Sequence, residues 1–214
     1  MKCVSDMMKL YAVTDRSWTK NKTLKMQVED ALKGGVTCVQ LREKMLSDEE
    51  FFEEAIEIKK LCSSYNVPFI INDNVDIAVK SNADGIHVGQ NDMEAQNVRQ
   101  LIGDSMMLGV SVQTVEQAVD AEKNGADYLG VGAMFNTTTK DNAIDVTYDT
   151  LREICKSVTI PVVAIGGINK DNMYKLAGAG IDGVALVSAI FAADDIEAEC
   201  KLFRSMSDKI CEDK

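Results

Sequence analysis

Eight short apolar runs, each followed by an amphipathic helical pattern, predict a single-domain α/β chain folded as a closed (β/α)₈ TIM barrel. Three observations carry that expectation. The runs are continuously apolar and rich in β-branched residues, the pattern of parallel strands covered on both faces. A short motif of Gly or Asn with Asp recurs just before several of them. The 214 residues contain only two prolines and no Gly/Ser-rich tract, so nothing in the composition marks an interdomain linker.

The strands are expected at 10–13, 38–41, 68–71, 85–88, 107–110, 128–131, 161–165 and 183–187. Between them Leu24, Val28, Ala31 and Leu32 keep a helical spacing, as do Val115, Ala118 and Val119, and Leu151, Ile154 and Cys155. Ser47 with Glu50, and Thr114 with Gln117, read as capping boxes that open helices. Asn82-Ala83-Asp84-Gly85, Asn124-Gly125-Ala126-Asp127 and Ala179-Gly180-Ile181-Asp182-Gly183 stand between a helix and the next strand. There the Gly or Asn fits a left-handed helix C-cap and the acidic residue fits the start of a strand. Eight such units in about 200 residues make a compact barrel, below the roughly 250 residues usual for the fold. A doubly wound open sheet is the runner-up, but no Gly-x-Gly-x-x-Gly follows the first strand. Residues 1–8 read as an N-terminal extension and 207–214 as an acidic C-terminal tail, both as frayed ends.

Composition narrows the function. No apolar run approaches the roughly 20 residues of a membrane span, and Met1 to Asp6 show no secretory pattern, so a cytoplasmic protein is expected. Six scattered cysteines without a Cys-x-x-Cys pair read as reduced, buried thiols. A net charge of −11 disfavours nucleic acid and anionic membranes as partners. It also repels a phosphorylated metabolite, so an anionic ligand demands local cations, backbone amides or a metal.

In a barrel the chemistry sits where strands end and βα loops begin. Strand two ends in Gln40-Leu41-Arg42-Glu43-Lys44, and alternation puts Gln40, Arg42 and Lys44 on one side. An amide and two cations aimed into a barrel mouth suit a diphosphate, whereas Glu43 reads as part of a solvated loop. Strand three ends in Asn72-Asp73 and strand four leads to Asp92. These two carboxylates suit a shared Mg²⁺, which takes one or two carboxylates plus phosphate oxygens. Asp92 reads equally as an ordinary N-cap to a helix over 93–101. Ser111, after strand five, suits either a phosphate oxygen or a helix cap. The polar stretch Asn136-Thr137-Thr138-Thr139-Lys140 is the best lid candidate and adds a third cation. Gly166-Gly167-Ile168 and Val187-Ser188-Ala189, after the last two strands, fit the fold's usual monophosphate pocket of backbone amides and a short helix N-terminus. His87, the single histidine, reads as a hydrogen-bonded structural residue.

Taken together, Leu10-Tyr11-Ala12-Val13-Thr14-Asp15, Gln40 to Lys44, Ile71-Asn72-Asp73, His87 to Asp92, Thr137 to Lys140 and Ile165 to Ile168 resemble the thiamine phosphate synthases, in family order over nearly the whole chain. The resemblance implies a transferase. A hydroxymethylpyrimidine diphosphate loses diphosphate, and the ring nitrogen of hydroxyethylthiazole phosphate takes the methylene carbon to give thiamine phosphate. It implies Gln40, Arg42, Lys44, Asn72, Ser111 and Lys140 around the pyrimidine and its diphosphate, with Arg42, Lys44, Ser111 and Lys140 catalytic. Asp73 and Asp92 would hold Mg²⁺, and Thr137, Thr139, Gly167, Val187 and Ser188 would meet the thiazole phosphate. Asn136 stands where the family often has proline and Gln113 where many members have histidine. Partners are then two small phosphorylated substrates, with a homo-oligomer left open. The rivals are a thiazole tautomerase-like paralogue, which would need no diphosphate cluster, and a non-catalytic thiazole-phosphate-binding regulator.

Overall fold

The computed structural model describes residues 3–19, 22–90, 92–136 and 146–212. Eight parallel strands close on one another in chain order: β1 (Leu10–Val13), β2 (Cys38–Leu41), β3 (Phe69–Asn72), β4 (Gly85–Val88), β5 (Met107–Val112), β6 (Tyr128–Val131), β7 (Val162–Ile165) and β8 (Gly183–Leu186), with β8 pairing back to β1. The expected strands fall on these with small shifts. Ser111 and Val112 belong to β5, where they pair with Gly130 and Val131.

The pleat divides the strand residues between two cores. Leu10, Ala12, Val39, Leu41, Ile71 and Ile86 join the larger cluster between sheet and helices. Tyr11, Val13, Cys38, Ile70, Met107, Tyr128 and Val163 fill the barrel interior. This alternation is the period of two along a strand, and with both faces buried it reads in sequence as one unbroken apolar run.

Helices cover the outside: α1 (Ser5–Met8), α2 (Leu24–Lys33), α3 (Asp48–Ser64), α4 (Val75–Lys80), α5 (Ala95–Ile102), α6 (Val115–Lys123), α7 (Tyr148–Ser157), α8 (Ser188–Phe191) and α9 (Ile196–Ile210). The Ser47–Glu50 capping box forms in full. At α6, Thr114 accepts from Gln117 N, but the Gln117 carboxamide reaches Gln113 N at 2.8 Å, one residue short of a reciprocal box. Between β7 and β8 the chain makes a 3₁₀ turn, Met173–Leu176, in place of an α-helix. Ala177-Gly178-Ala179-Gly180 follows at once, with positive φ at both glycines, and leaves no room for a longer helix.

The recurring Gly/Asn-with-Asp motif has a structural cause. Asn82, Gly125 and Gly180 adopt positive φ, as a left-handed C-cap requires. The following Asp84, Asp127 and Asp182 each accept, at 2.8 Å, the N–H of the strand before: Phe69 in β3, Leu108 in β5 and Val162 in β7. Thr37 does the same for Leu10 in β1 at 2.9 Å. Strands are thus stapled in the pairs 1–2, 3–4, 5–6 and 7–8 at the end of the barrel away from the βα loops. A hydrogen bond of this charged kind contributes about 1.5–3 kcal/mol.

Both termini depart from the expected frayed ends. Cys3 and Met8 are buried in the barrel-interior cluster, so α1 plugs the end at which the strands begin. Ser207 is fully buried inside α9 and its hydroxyl donates to Lys9 O, while Ile210 and Cys211 pack into the outer core. Apolar residues in a short polar context hid this, since neither segment is long enough to show a clear period. All six cysteines remain thiols, five of them buried.

Candidate active site

The C-terminal ends of β2 to β5 are neighbours in the barrel, and they bring one group of the expected residues together. Gln40 is the inward residue at the end of β2, aligned with Val13 and Ile70 and buried. Past the strand, Arg42 N donates to Thr14 Oγ1 at 3.0 Å, which ties this segment to the end of β1. The Arg42 guanidinium lies 3.8 Å from Asp15. Lys44 Nζ lies 2.6 Å from Asp73 Oδ2, at the end of β3. Arg42, Lys44 and Asp15 line a cleft of about 290 Å³.

Glu43 departs from its reading as a solvated loop residue. It is buried, and Arg16 grips it through Nε and Nη2 at 3.2 and 3.0 Å. Arg16 also meets Glu54 of α3 at 2.6 Å. The pair fixes the backbone between Arg42 and Lys44, so the two cations flank an anchored residue. The partner of Glu43 lies 27 positions upstream, which is why sequence spacing did not reveal it.

Asn72 ends β3 beside His87 of β4, and Asp73 follows with φ of 61°. Asp92 does not cap a helix. Its Oδ2 accepts from Gly89 N at 2.7 Å, while α5 starts later with Glu94 at its N-cap position. The two aspartates feel each other. Burial raises the Asp73 carboxyl, but the hydrogen bond and charge of Lys44 outweigh it and hold the group below its ordinary value. Burial raises Asp92, and the Asp73 charge raises it further. Two carboxylates that repel across a short gap, open toward the cleft cations, fit a hard divalent cation. Among the described residues no group of three or more His, Cys, Asp or Glu could hold a metal, so substrate oxygens and water would complete the shell.

Ser111, at the end of β5, does not cap a helix either; Thr114 does that. Its Oγ lies 2.9 Å from His87 Nε2. The other ring nitrogen, Nδ1, is 3.1 Å from Tyr128 Oη, so His87 is the hydrogen-bonded interior residue that the sequence suggested. Tyr11 and Tyr128 escaped notice because buried tyrosines in strands read as core. Only the interior parity of positions 11, 40, 87, 111 and 128 would have singled them out.

On the far side of the mouth, Gly166 and Gly167 follow β7 with φ of 96° and 64°. A Cβ at Gly167 would stand 2.5 Å from the carbonyl oxygens of Phe135 and Asn136. Backbone therefore approaches backbone here, as Phe135 N donating to Gly166 O also shows. Val187 and Ser188 follow β8, with Ser188 opening α8. Thr137, Thr139 and Lys140, expected in the lid, lie outside the described residues.

The thiamine monophosphate synthase family model matches residues 10–190. The chain belongs to that family. It is 50% identical over 192 residues to a thiamine-phosphate synthase of Clostridium tetani, covering 90% of this chain and 92% of the relative. A thiamine-phosphate synthase of Methanobrevibacter smithii is 50% identical over 184 residues, 86% of this chain and 88% of the relative. The solved thiamine phosphate pyrophosphorylase of Pyrococcus furiosus superposes with a TM-score of 0.89 at 37% identity, over 96% of this chain and 98% of that one. Membership in this family makes the chain a transferase and disfavours the tautomerase-like and regulator readings. Among the described residues, no helix is long and apolar enough to cross a membrane.

Proposed function

We propose that the barrel makes thiamine phosphate by joining a hydroxymethylpyrimidine diphosphate to hydroxyethylthiazole phosphate, with release of diphosphate. The observation that carries this is the gathering of Gln40, Arg42, Lys44, Asn72, Asp73, Asp92 and Ser111 on four adjacent strand ends, opposite the Gly166-Gly167 turn after β7 and the Val187-Ser188 segment after β8. One side of the mouth suits a doubly charged leaving group and the other a monophosphate.

The carbon–oxygen bond between the pyrimidine methylene and the diphosphate breaks, and the electron pair leaves with the oxygen. The methylene carbon, stabilised by the electron-rich ring, is then taken by the lone pair of the thiazole nitrogen. A ring nitrogen needs no base to attack, and no proton moves in the bond-forming step. The barrier lies in separating opposite charges, so groups placed at the departing oxygens lower it. Arg42 offers a fork of donors and Lys44 a point charge. Gln40 and Asn72 orient the pyrimidine, and Ser111 donates to a diphosphate oxygen. Asp73 and Asp92 would hold Mg²⁺, which when bound supplies positive charge beside the leaving group. Gly167, Val187 and Ser188 would receive the thiazole phosphate through main-chain and hydroxyl groups, aligning nitrogen and carbon. Thr137 and Thr139 join that pocket, and Lys140 the diphosphate, on the strength of the family motif.

A cytoplasmic location, supported by six free thiols, belongs to the same proposal. The deciding assay supplies both substrates and Mg²⁺ to the purified chain and measures diphosphate and thiamine phosphate. Equimolar formation of the two is expected. A tautomerase-like barrel or a regulator would release no diphosphate, and that outcome would end the proposal.

A further inference from the structure

Five buried or half-buried side chains form an unbroken hydrogen-bonded file across the barrel interior. Gln40 Nε2 is 2.8 Å from Tyr11 Oη, which is 2.8 Å from Tyr128 Oη. Tyr128 Oη is 3.1 Å from His87 Nδ1, and His87 Nε2 is 2.9 Å from Ser111 Oγ. The rings of Tyr11 and Tyr128 sit 5.9 Å apart and those of His87 and Tyr128 5.5 Å apart, so the file is also packed. Its two ends, Gln40 and Ser111, are residues read above as substrate contacts. Its three middle members touch no substrate in that reading.

We propose that Tyr11, Tyr128 and His87 are positioning residues that give the two ends a fixed and opposite hydrogen-bonding polarity. This rests on the reading of Gln40 and Ser111 as substrate contacts. The polarity follows from donor counting. The Gln40 amide nitrogen only donates, so Tyr11 Oη accepts and passes its single proton to Tyr128. Burial keeps both phenols protonated far above their ordinary range. Tyr128 donates in turn to His87 Nδ1, so the imidazole carries its proton on Nε2 and donates to Ser111 Oγ. The Ser111 proton is left to point away from the file, as a donor suited to an anionic oxygen. At the other end the Gln40 carbonyl oxygen is left as an acceptor suited to an amino group. A file of this kind sets one orientation of each end before substrate arrives, which lowers the reorganisation needed in the transition state.

The chain has a single histidine, so enzyme labelled with ¹⁵N-histidine gives one imidazole and reports the polarity without assignment. A neutral ring protonated only at Nε2 is expected in the unmodified protein. A ring protonated at Nδ1, or an even mixture of tautomers, would overturn the proposal whatever any variant does. Tyr128→Phe removes the donor to Nδ1; it should mix the tautomers and lower kcat by about fivefold or more, with KM changed less. His87→Gln, whose amide can still donate toward Ser111, should retain more turnover than His87→Ala. Equal loss in the two, or a Tyr128→Phe enzyme with unchanged tautomer and kcat, would sink the positioning role. Failure of the unmodified chain to make thiamine phosphate would instead remove the catalytic reading, while the tautomer measurement would still decide the polarity.

Discussion

Lys44 Nζ stands 2.6 Å from Asp73 Oδ2, so a cation assigned to the diphosphate rests on a carboxylate assigned to the metal. The arrangement pairs the two charges and holds Asp73 ionised against the cost of its burial. In the proposed reaction Asp73 would help hold the metal and Lys44 would meet the diphosphate. Asp73→Asn keeps the size and removes the charge. The half-saturating Mg²⁺ concentration should rise by at least about tenfold, or about 1.4 kcal/mol. It is read from initial rates of diphosphate release against Mg²⁺. An unchanged Mg²⁺ dependence would remove Asp73 from the metal site.

Arg42 is held at both levels, its N–H by Thr14 and its side chain beside Asp15. A guanidinium fixed in this way costs little to orient when charge develops on the leaving oxygen. Arg42→Ala should lower turnover by at least about tenfold, or about 1.4 kcal/mol of transition-state stabilisation. Arg42→Lys should recover only part of the loss, because a point charge cannot reproduce the planar fork. Near-normal turnover of the alanine variant in a steady-state assay would refute the role.

The barrel was legible because every strand is buried on both faces and so shows as a continuous apolar run, and because Asp84, Asp127 and Asp182 punctuate the strand starts in a repeating way. The βα-loop residues were legible because the fold places its chemistry where strands end, which directs the reading to the polar groups there. What stayed hidden is pairing over distance. Arg16 with Glu43 and Ser207 with Lys9 depend on which segments meet in space, and no local period encodes that. Glu43 looked solvated because its neighbours are charged. Tyr11 and Tyr128 looked like core because a buried phenol and a buried phenyl ring have the same pattern in sequence.

Gly109 and Gly130 lie on the inward face of β5 and β6, both close to the His87 ring, but at different clearances. A Cβ at Gly109 would stand 2.5 Å from His87 Nδ1 and closer still to the Tyr128 phenol. A Cβ at Gly130 would stand 3.1 Å from His87 Cε1 and 3.4 Å from Nε2. The first must push two interior rings apart; the second needs a shift of a few tenths of an ångström. Gly109→Ala should cost about 1–3 kcal/mol, the usual range for overpacking a core, and Gly130→Ala under about 1.5 kcal/mol. Thermal melts of the two variants check the order. A Gly109→Ala variant as stable as the unmodified chain would mean the rings are not where the file requires them.

Arg16 serves two carboxylates at once, Glu43 at 3.0 Å and Glu54 at 2.6 Å, and one guanidinium cannot fully compensate both. Burial raises Glu54 first, the hydrogen bond and charge of Arg16 pull it back, and Glu43 raises it again, leaving it at about 7 against an ordinary 4.5. A carboxyl whose folded value is raised binds its proton more tightly when folded than when unfolded. Its contribution to stability is therefore fully present below about 4.5 and is lost as pH rises through about 7. Glu54→Gln holds a neutral side chain of the same shape at every pH. Its melting temperature should gain on that of the unmodified chain as pH rises from 5 to 8 (roughly the window between the two values), and the difference should be smallest at the acid end. The same glutamine leaves Arg16 wholly to Glu43, so the anchored segment between Arg42 and Lys44 should keep its place and turnover at neutral pH should hold. Parallel melting curves across that pH range would show that Glu54 titrates alike in the folded and unfolded chain, and that Arg16 satisfies both carboxylates after all.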